Sequence, residues 1–168
     1  MSSVVEARSP FPMPGSRPAP SPPREYRFPT FERRALPNGL GLIVAPVRKL
    51  PVVTVRAVVE AGAMAEPGGH EGVADLNARA LLEGTERLSG EELAERFERL
   101  GASVDADASW DSAALGMTVL ADRLPEAFAL FTEVLRAPSF PERQVLRLRA
   151  ERLAELLNQR AGTRKPPA

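Results

Sequence analysis

Few residues in this chain have a type and spacing that could support catalysis. His70 is the single histidine and cysteine is absent, so the chain offers no thiol nucleophile, disulfide or cysteine-ligated metal. Ser89, Ser109 and Ser112 do not lie in a Gly-x-Ser-x-Gly turn, which argues against a serine hydrolase. His70 and Asp75 alone would make a poor metal site, because zinc takes three or four strong donors. We therefore interpret His70 as an exposed loop histidine.

The charged residues are better placed to pair with one another than to react. Asp75 and Arg79 are four residues apart in a predicted helix, which is the spacing of an ion pair worth about 0.2–0.5 kcal/mol when exposed. Arg and Glu also mix along a second predicted helix near the C-terminus, and the mixed sign favours a solvated helix face. The members of that run are Glu142, Arg143, Arg147, Arg149, Glu151, Arg152 and Glu155.

Composition gives no signal for a nucleic-acid or membrane partner. Basic and acidic residues number 22 each, so no general field favours an anionic partner. No apolar run approaches the roughly 20 residues that span a bilayer, and prolines interrupt the N-terminal segment where a secretory signal would lie. We predict a soluble cytoplasmic protein, or a periplasmic one if a signal precedes the given sequence.

The chain divides into three predicted segments. Residues 1–29 carry eight of the 17 prolines and are expected to form a disordered leader. Residues 30–160 hold the periodic apolar patterns of a folded domain, and residues 161–168 are expected to be a frayed tail.

The folded segment reads as three strands, two helices, two strands and two helices. Asn38-Gly39 predicts a hairpin between residues 31–36 and 42–44, and the β-branched run 52–59 predicts a central strand. Ser89 and Glu92 have capping-box spacing at a helix start. The other predicted elements are a helix at 71–82, strands at 102–108 and 112–121, and helices that begin at 122 or 123 and at 142.

The order of these elements indicates an α+β fold, with a mostly antiparallel sheet and helices packed on one face.

Helical spacing also predicts which side chains are buried. The expected buried residues are Val73, Leu76, Ala80 and Leu81 in the first helix, Ala127, Leu130, Phe131, Val134 and Leu135 in the third, and Val145, Leu146, Leu153, Leu156 and Leu157 in the last.

Five short segments in order carry a family resemblance. They are residues 36–40, 60–63, 72–85, 100–102 and 137–140. Together they resemble the N-terminal part of one unit of the pitrilysin/insulinase-type zinc metallopeptidases, which are similar to mitochondrial processing peptidase. The resemblance covers roughly residues 31–160. It implies a partial peptidase-like domain over residues 30–160 that is incomplete at its C-terminus.

The resemblance also implies where the chemistry of the family would lie. Active members carry His-x-x-Glu-His, in which two imidazoles and a later glutamate bind zinc and the central glutamate is the general base. That motif falls on Asp75, Ala78 and Arg79, so no catalytic residue and no bound metal is expected. Glu155 matches the later glutamate as a remnant ligand position. We expect Asp75, Arg79 and Glu155 to form a cluster in the space of the lost zinc site.

The functional expectation follows from the family and from the replaced motif. Family units without the motif pair with a catalytic unit and help to enclose the substrate. We therefore expect a non-catalytic homologue that acts as a partner and substrate-chamber subunit for an active sister peptidase and the peptide substrates of the pair. Two alternatives stay open at this point. One is a metal-dependent peptidase with an altered site, and the other is a purely structural assembly subunit.

Overall fold

The fold is that of a computed structural model, which describes Ser21 and residues 28–163, with the backbone alone at 162 and 163. Almost all of the predicted leader, and residues 164–168 of the predicted tail, lie outside the described residues. The chain forms two compact units, residues 1–47 and 48–168, which are described separately. Within the described part, no helix is both long and apolar enough to cross a membrane.

The first unit contains the predicted hairpin. Strands β1 (Glu32–Ala35) and β2 (Gly41–Val44) pair antiparallel, with Ala35 opposite Gly41 at the closed end. Gly39 has a φ of +86°, a left-handed conformation that a residue with a Cβ rarely adopts. The side-chain oxygen of Asn38 accepts a hydrogen bond from the Leu40 amide at 3.2 Å. The Asn-Gly turn signal is confirmed.

The second unit contains a three-stranded antiparallel sheet in the order β3-β5-β4. Its strands are β3 (Val52–Val59), β4 (Ser103–Ala108) and β5 (Ala113–Leu120). The prediction that residues 52–59 form the central strand is wrong, because β5 lies between the other two. β5 is buried on both faces: Leu115 and Met117 face the core, and the small residues Ala114 and Gly116 are buried on the opposite face.

Four α-helices complete the described part of the second unit. They are α1 (Val73–Ala80), α2 (Gly90–Arg99), α3 (Leu124–Arg136) and α4 (Glu142–Thr163). The predicted capping box starts α2, where the Ser89 hydroxyl accepts a hydrogen bond from the Glu92 amide and the Glu92 carboxylate accepts one from the Ser89 amide. α4 continues three residues into the segment that was predicted to fray.

The core of the second unit lies between one face of the sheet and the helices. Its largest fully buried side chains are Phe97, Leu93, Leu115, Met117, Val119 and Val134. Each such side chain stabilises the fold by about 1.5–3 kcal/mol relative to an exposed position. On the opposite face of the sheet, Arg56 forms ion pairs with Asp105 and Asp107, both of which are exposed. The predicted α+β fold with an antiparallel sheet and helices is therefore confirmed.

Several predicted core positions are exposed instead. Val73 is exposed, and α1 buries three alanines, Ala74, Ala78 and Ala80, which allow close packing. Among the residues of α4 whose burial the structure describes, only Leu148 is buried. The leucines that were wrongly expected in the core are Leu135 of α3 and Leu146, Leu153, Leu156 and Leu157 of α4. Helix α4 packs against α1, and its inward stripe is Val145, Leu148, Arg152 and Glu155.

Candidate functional site

Helices α1 and α4 bring together the three residues of the predicted cluster. Asp75 and Arg79 lie one turn apart on α1, and the Arg79 Nε donates to Asp75 Oδ2 at 3.1 Å. The two terminal nitrogens of Arg79 donate to the two carboxylate oxygens of Glu155 on α4, at 3.3 and 3.2 Å. Arg79 therefore bonds both acids, as expected from the sequence, and its bidentate fork with Glu155 ties α4 to α1.

A fourth residue, Arg152, closes this cluster into a ring. Its Nε lies 3.0 Å from Asp75 Oδ2, and one of its terminal nitrogens donates to Glu155 Oε2 at 2.9 Å. We call Asp75, Arg79, Glu155 and Arg152 the ion-pair ring. Arg152 was not predicted to join the cluster, because the mixed charges of the α4 run indicated a solvated helix face. Its spacing of three residues from Glu155 was the available signal, because residues at i and i+3 share a helix face.

The ion-pair ring is partly shielded from water and carries no net charge. The two arginine side chains are 34% exposed, compared with 32% for Asp75 and 43% for Glu155. A hydrogen bond from Arg152 lowers the pKa of Glu155; partial burial opposes this change, and Arg79 reinforces it. Burial acts to lower the pKa of Arg79, but Asp75 and Glu155 outweigh it, so the pKa is raised overall. Both shifts favour the charged forms of Arg79 and Glu155.

Ala78 lies on the buried side of α1. It is 1% exposed, and its methyl group has no atom that can accept a proton. His70, the single histidine, lies exposed in the loop that precedes α1. Neither residue supplies a base or an imidazole ligand to the ion-pair ring.

The residues present do not fit a zinc ion. A zinc site takes three or four nitrogen, oxygen or sulfur donors with free lone pairs, and a guanidinium has none. Asp75 and Glu155 provide carboxylates, but both arginines already hydrogen-bond or ion-pair with each of them. Among the described residues, no three His, Cys, Asp or Glu side chains are grouped so that they could hold a metal.

Comparison with known proteins assigns the family. The model of the insulinase family (peptidase family M16) matches residues 44–162, which is more than half of the chain. The chain belongs to the insulinase family. The resemblance to this family that was found in the sequence is confirmed.

Two curated relatives of this insulinase-family chain have contrasting names. An uncharacterized zinc protease of Rickettsia bellii is 22% identical over 115 residues, which are 68% of this chain and 28% of the relative. The non-peptidase homolog YmxG of Helicobacter pylori is 26% identical over 108 residues, which are 64% of this chain and 25% of that protein. The chain thus spans about a quarter of the length of these relatives.

Solved structures of the family share the fold. The peptidase M16 inactive domain from Pseudomonas fluorescens matches with a TM-score of 0.74 and 28% identity, over 78% of this chain and 32% of that one. A protease from Helicobacter pylori matches with a TM-score of 0.66 and 24% identity, over 73% and 30% of the two chains. Pitrilysin also matches with a TM-score of 0.66, at 23% identity, over 78% of this chain and 14% of its own.

Two further carboxylates hold elements of the second unit in place. Glu66 accepts hydrogen bonds from the amides of Gly72 and Ala74, at 2.9 and 2.8 Å, and so binds the N-terminus of α1, where negative charge is favourable. On α3, the nearly buried Glu133 accepts hydrogen bonds from the Arg87 guanidinium and the Thr85 hydroxyl, which lower its pKa in that order of size. Neither role was predicted from the sequence, because each contact joins residues that no helical or strand spacing relates.

Proposed function

We propose that this chain is a non-catalytic member of the insulinase family that acts as a partner and substrate-chamber subunit beside an active sister peptidase. The observation that carries the proposal is Arg79. Its guanidinium lies on α1 between the carboxylates of Asp75 and Glu155, where a metallopeptidase of this family would need a lone-pair donor. Ala78 beside it supplies no general base. The chain therefore retains the helical frame without the groups that would bind zinc and activate water.

The similar proteins support a non-catalytic role. One solved relative is described as an inactive domain, and one curated relative as a non-peptidase homolog. A relative from Rickettsia bellii, at 22% identity, is described instead as an uncharacterized zinc protease. The side chains of the ring therefore carry the proposal, and the names are consistent with it.

The sheet of the second unit supports a peptide-holding role. β3 and β4 are the outer strands, and each pairs only with β5 among the described residues. An unpaired strand edge can add an extended peptide through main-chain hydrogen bonds. A subunit without catalytic residues can in this way still align a substrate for a catalytic partner.

Co-expression with a sister peptidase that carries an intact His-x-x-Glu-His motif, from the same genome, tests this role. We expect the two chains to co-purify, and peptide cleavage by the sister to increase when this chain is present. The sister alone and this chain alone are the controls. Recovery of this chain in an unrelated complex would instead indicate a structural assembly subunit. Zinc-dependent cleavage by this chain alone would indicate a peptidase with an altered site.

A further inference from the structure

We propose that Arg79 and Arg152 together take the place of a metal ion that would join α1 to α4, and that Arg152 by itself competes with a metal for the two carboxylates. This inference deepens the proposed non-catalytic role. It rests on that role, which requires that the natural chain binds no zinc. Its test uses metal binding by variants, whereas the proposed function is tested on the unaltered chain, so the two can fail separately.

The charges of the ion-pair ring match those of a metal site. Asp75 and Glu155 contribute two negative charges from two different helices, and Arg79 and Arg152 contribute two positive charges. A divalent cation held by the same carboxylates would supply the same compensation. The two guanidiniums therefore compensate the negative charges of two half-buried carboxylates, which would otherwise repel each other.

The two arginines bind the same oxygen atoms. Asp75 Oδ2 lies 3.1 Å from the Nε of Arg79 and 3.0 Å from the Nε of Arg152. Glu155 Oε2 lies 3.2 Å from Arg79 and 2.9 Å from Arg152. When one arginine is removed, the other still connects both carboxylates. Arg152 is thus a second obstacle to metal binding, independent of the residue at position 79.

A single substitution on α1 would create a three-ligand donor set. Arg79→His places an imidazole four residues from Asp75, on the same face of α1 and facing Glu155. A carboxylate, an imidazole and a second carboxylate are acceptable zinc ligands. Arg152 would still occupy Asp75 Oδ2 and Glu155 Oε2, so we expect Arg79→His alone to bind zinc weakly. The combination of Arg79→His and Arg152→Gln should release both carboxylates to the metal.

Zinc binding by four tag-free proteins tests this inference: the natural chain, R79H, R79H/R152Q and R79H/R147Q. The last is the matched control, because Arg147 also lies on α4 and also forms two ion pairs, with Glu83 and Glu151 outside the ring. Isothermal titration with Zn²⁺ alone should give one site in R79H/R152Q, with an affinity at least about tenfold higher than in R79H or R79H/R147Q. Co²⁺ should give a visible absorption band only in R79H/R152Q.

Two results of the titration would overturn the inference. Equal zinc affinity in R79H and R79H/R152Q would show that Arg152 does not compete with the metal. Absence of binding in a folded R79H/R152Q protein would show that Asp75 and Glu155 are not placed to share one.

Thermal unfolding of R79Q, R152Q and R79Q/R152Q gives a second measurement that does not depend on metal. Because each arginine still bridges both carboxylates when the other is lost, the decrease in midpoint for the double variant should exceed the sum of the two single decreases. Additive decreases would contradict a shared role of the two arginines.

Discussion

A guanidinium and an imidazole differ in the one property that a metal site on α1 requires. Neutral imidazole offers a lone pair, whereas a guanidinium offers only N–H donors and keeps its positive charge. Arg79 uses these donors on Asp75 and Glu155, and Arg152 uses its own on the same two residues. The two carboxylates that a zinc ion would need are therefore already paired with guanidinium groups.

The lowered pKa of Glu155 gives a prediction about acid stability. A depressed pKa in the folded state means that Glu155 stabilises the protein above the ordinary glutamate pKa of 4.5, and that this contribution is lost as the pH falls through the depressed value. We expect Glu155→Gln to lower the thermal midpoint at pH 7 and the difference from the natural chain to shrink toward pH 3. Thermal denaturation from pH 7 to pH 3 measures it.

Glu98→Gln provides the control for this pH series. Glu98 is an exposed carboxylate of α2 that makes no ion pair within the described part of the chain. Its substitution should change the midpoint at pH 7 much less than Glu155→Gln does. A difference for Glu155→Gln that stays constant down to pH 3 would argue against a stabilising charge at this position.

At the scale of elements, the positions of the helices and strands could be predicted better than which of their faces are buried. The Asn38-Gly39 turn and the capping box of α2 are each formed by residues a few positions apart in the sequence. Both were therefore predictable. The inward face of α4 was not, because leucine spacing favoured Leu146, Leu153, Leu156 and Leu157. Tertiary contact with α1 instead selects the stripe that carries Arg152 and Glu155. The order of the sheet was also wrong, because β-branched content cannot distinguish an outer strand from a central one.

The loop after β3 provides a prediction at the scale of elements. A Cβ on Gly62 would clash with the Ser112 nitrogen and lie 2.6 Å from the Trp110 carbonyl oxygen, so this loop packs directly on the loop between β4 and β5. Gly62→Ala should therefore decrease the free energy of unfolding by about 1–3 kcal/mol, as overpacking does. Urea denaturation measures this change.

Gly68→Ala is the matched control for that measurement. A Cβ on Gly68 would meet nothing within 4 Å. Its substitution should leave the free energy of unfolding unchanged or raise it slightly, because alanine restricts the unfolded chain. Equal effects of the two substitutions would mean that the close contact at Gly62 does not constrain the loop.

At the scale of the whole molecule, the core and the ion-pair ring are separate. The buried cluster around Phe97, Leu115 and Met117 lies between the sheet and the helices, whereas the ring joins α1 to α4 through partly exposed side chains. Changes in the ring therefore need not disturb the core. The family could be predicted from five segments in order. Asp75 and Arg79 could be predicted because the family motif has fixed spacing, and Glu155 because it matches the later glutamate of the family. For Arg152, the spacing indicated only the pair with Glu155 on its own helix, because its contact with Asp75 on α1 depends on tertiary packing.

The most direct test of the central claim is the zinc content and peptidase activity of the purified, tag-free natural chain after incubation with Zn²⁺. We expect no stoichiometric zinc after removal of the excess and no zinc-dependent cleavage of peptides. One zinc ion per chain, together with cleavage that is lost on substitution of Asp75 or Glu155, would contradict the claim.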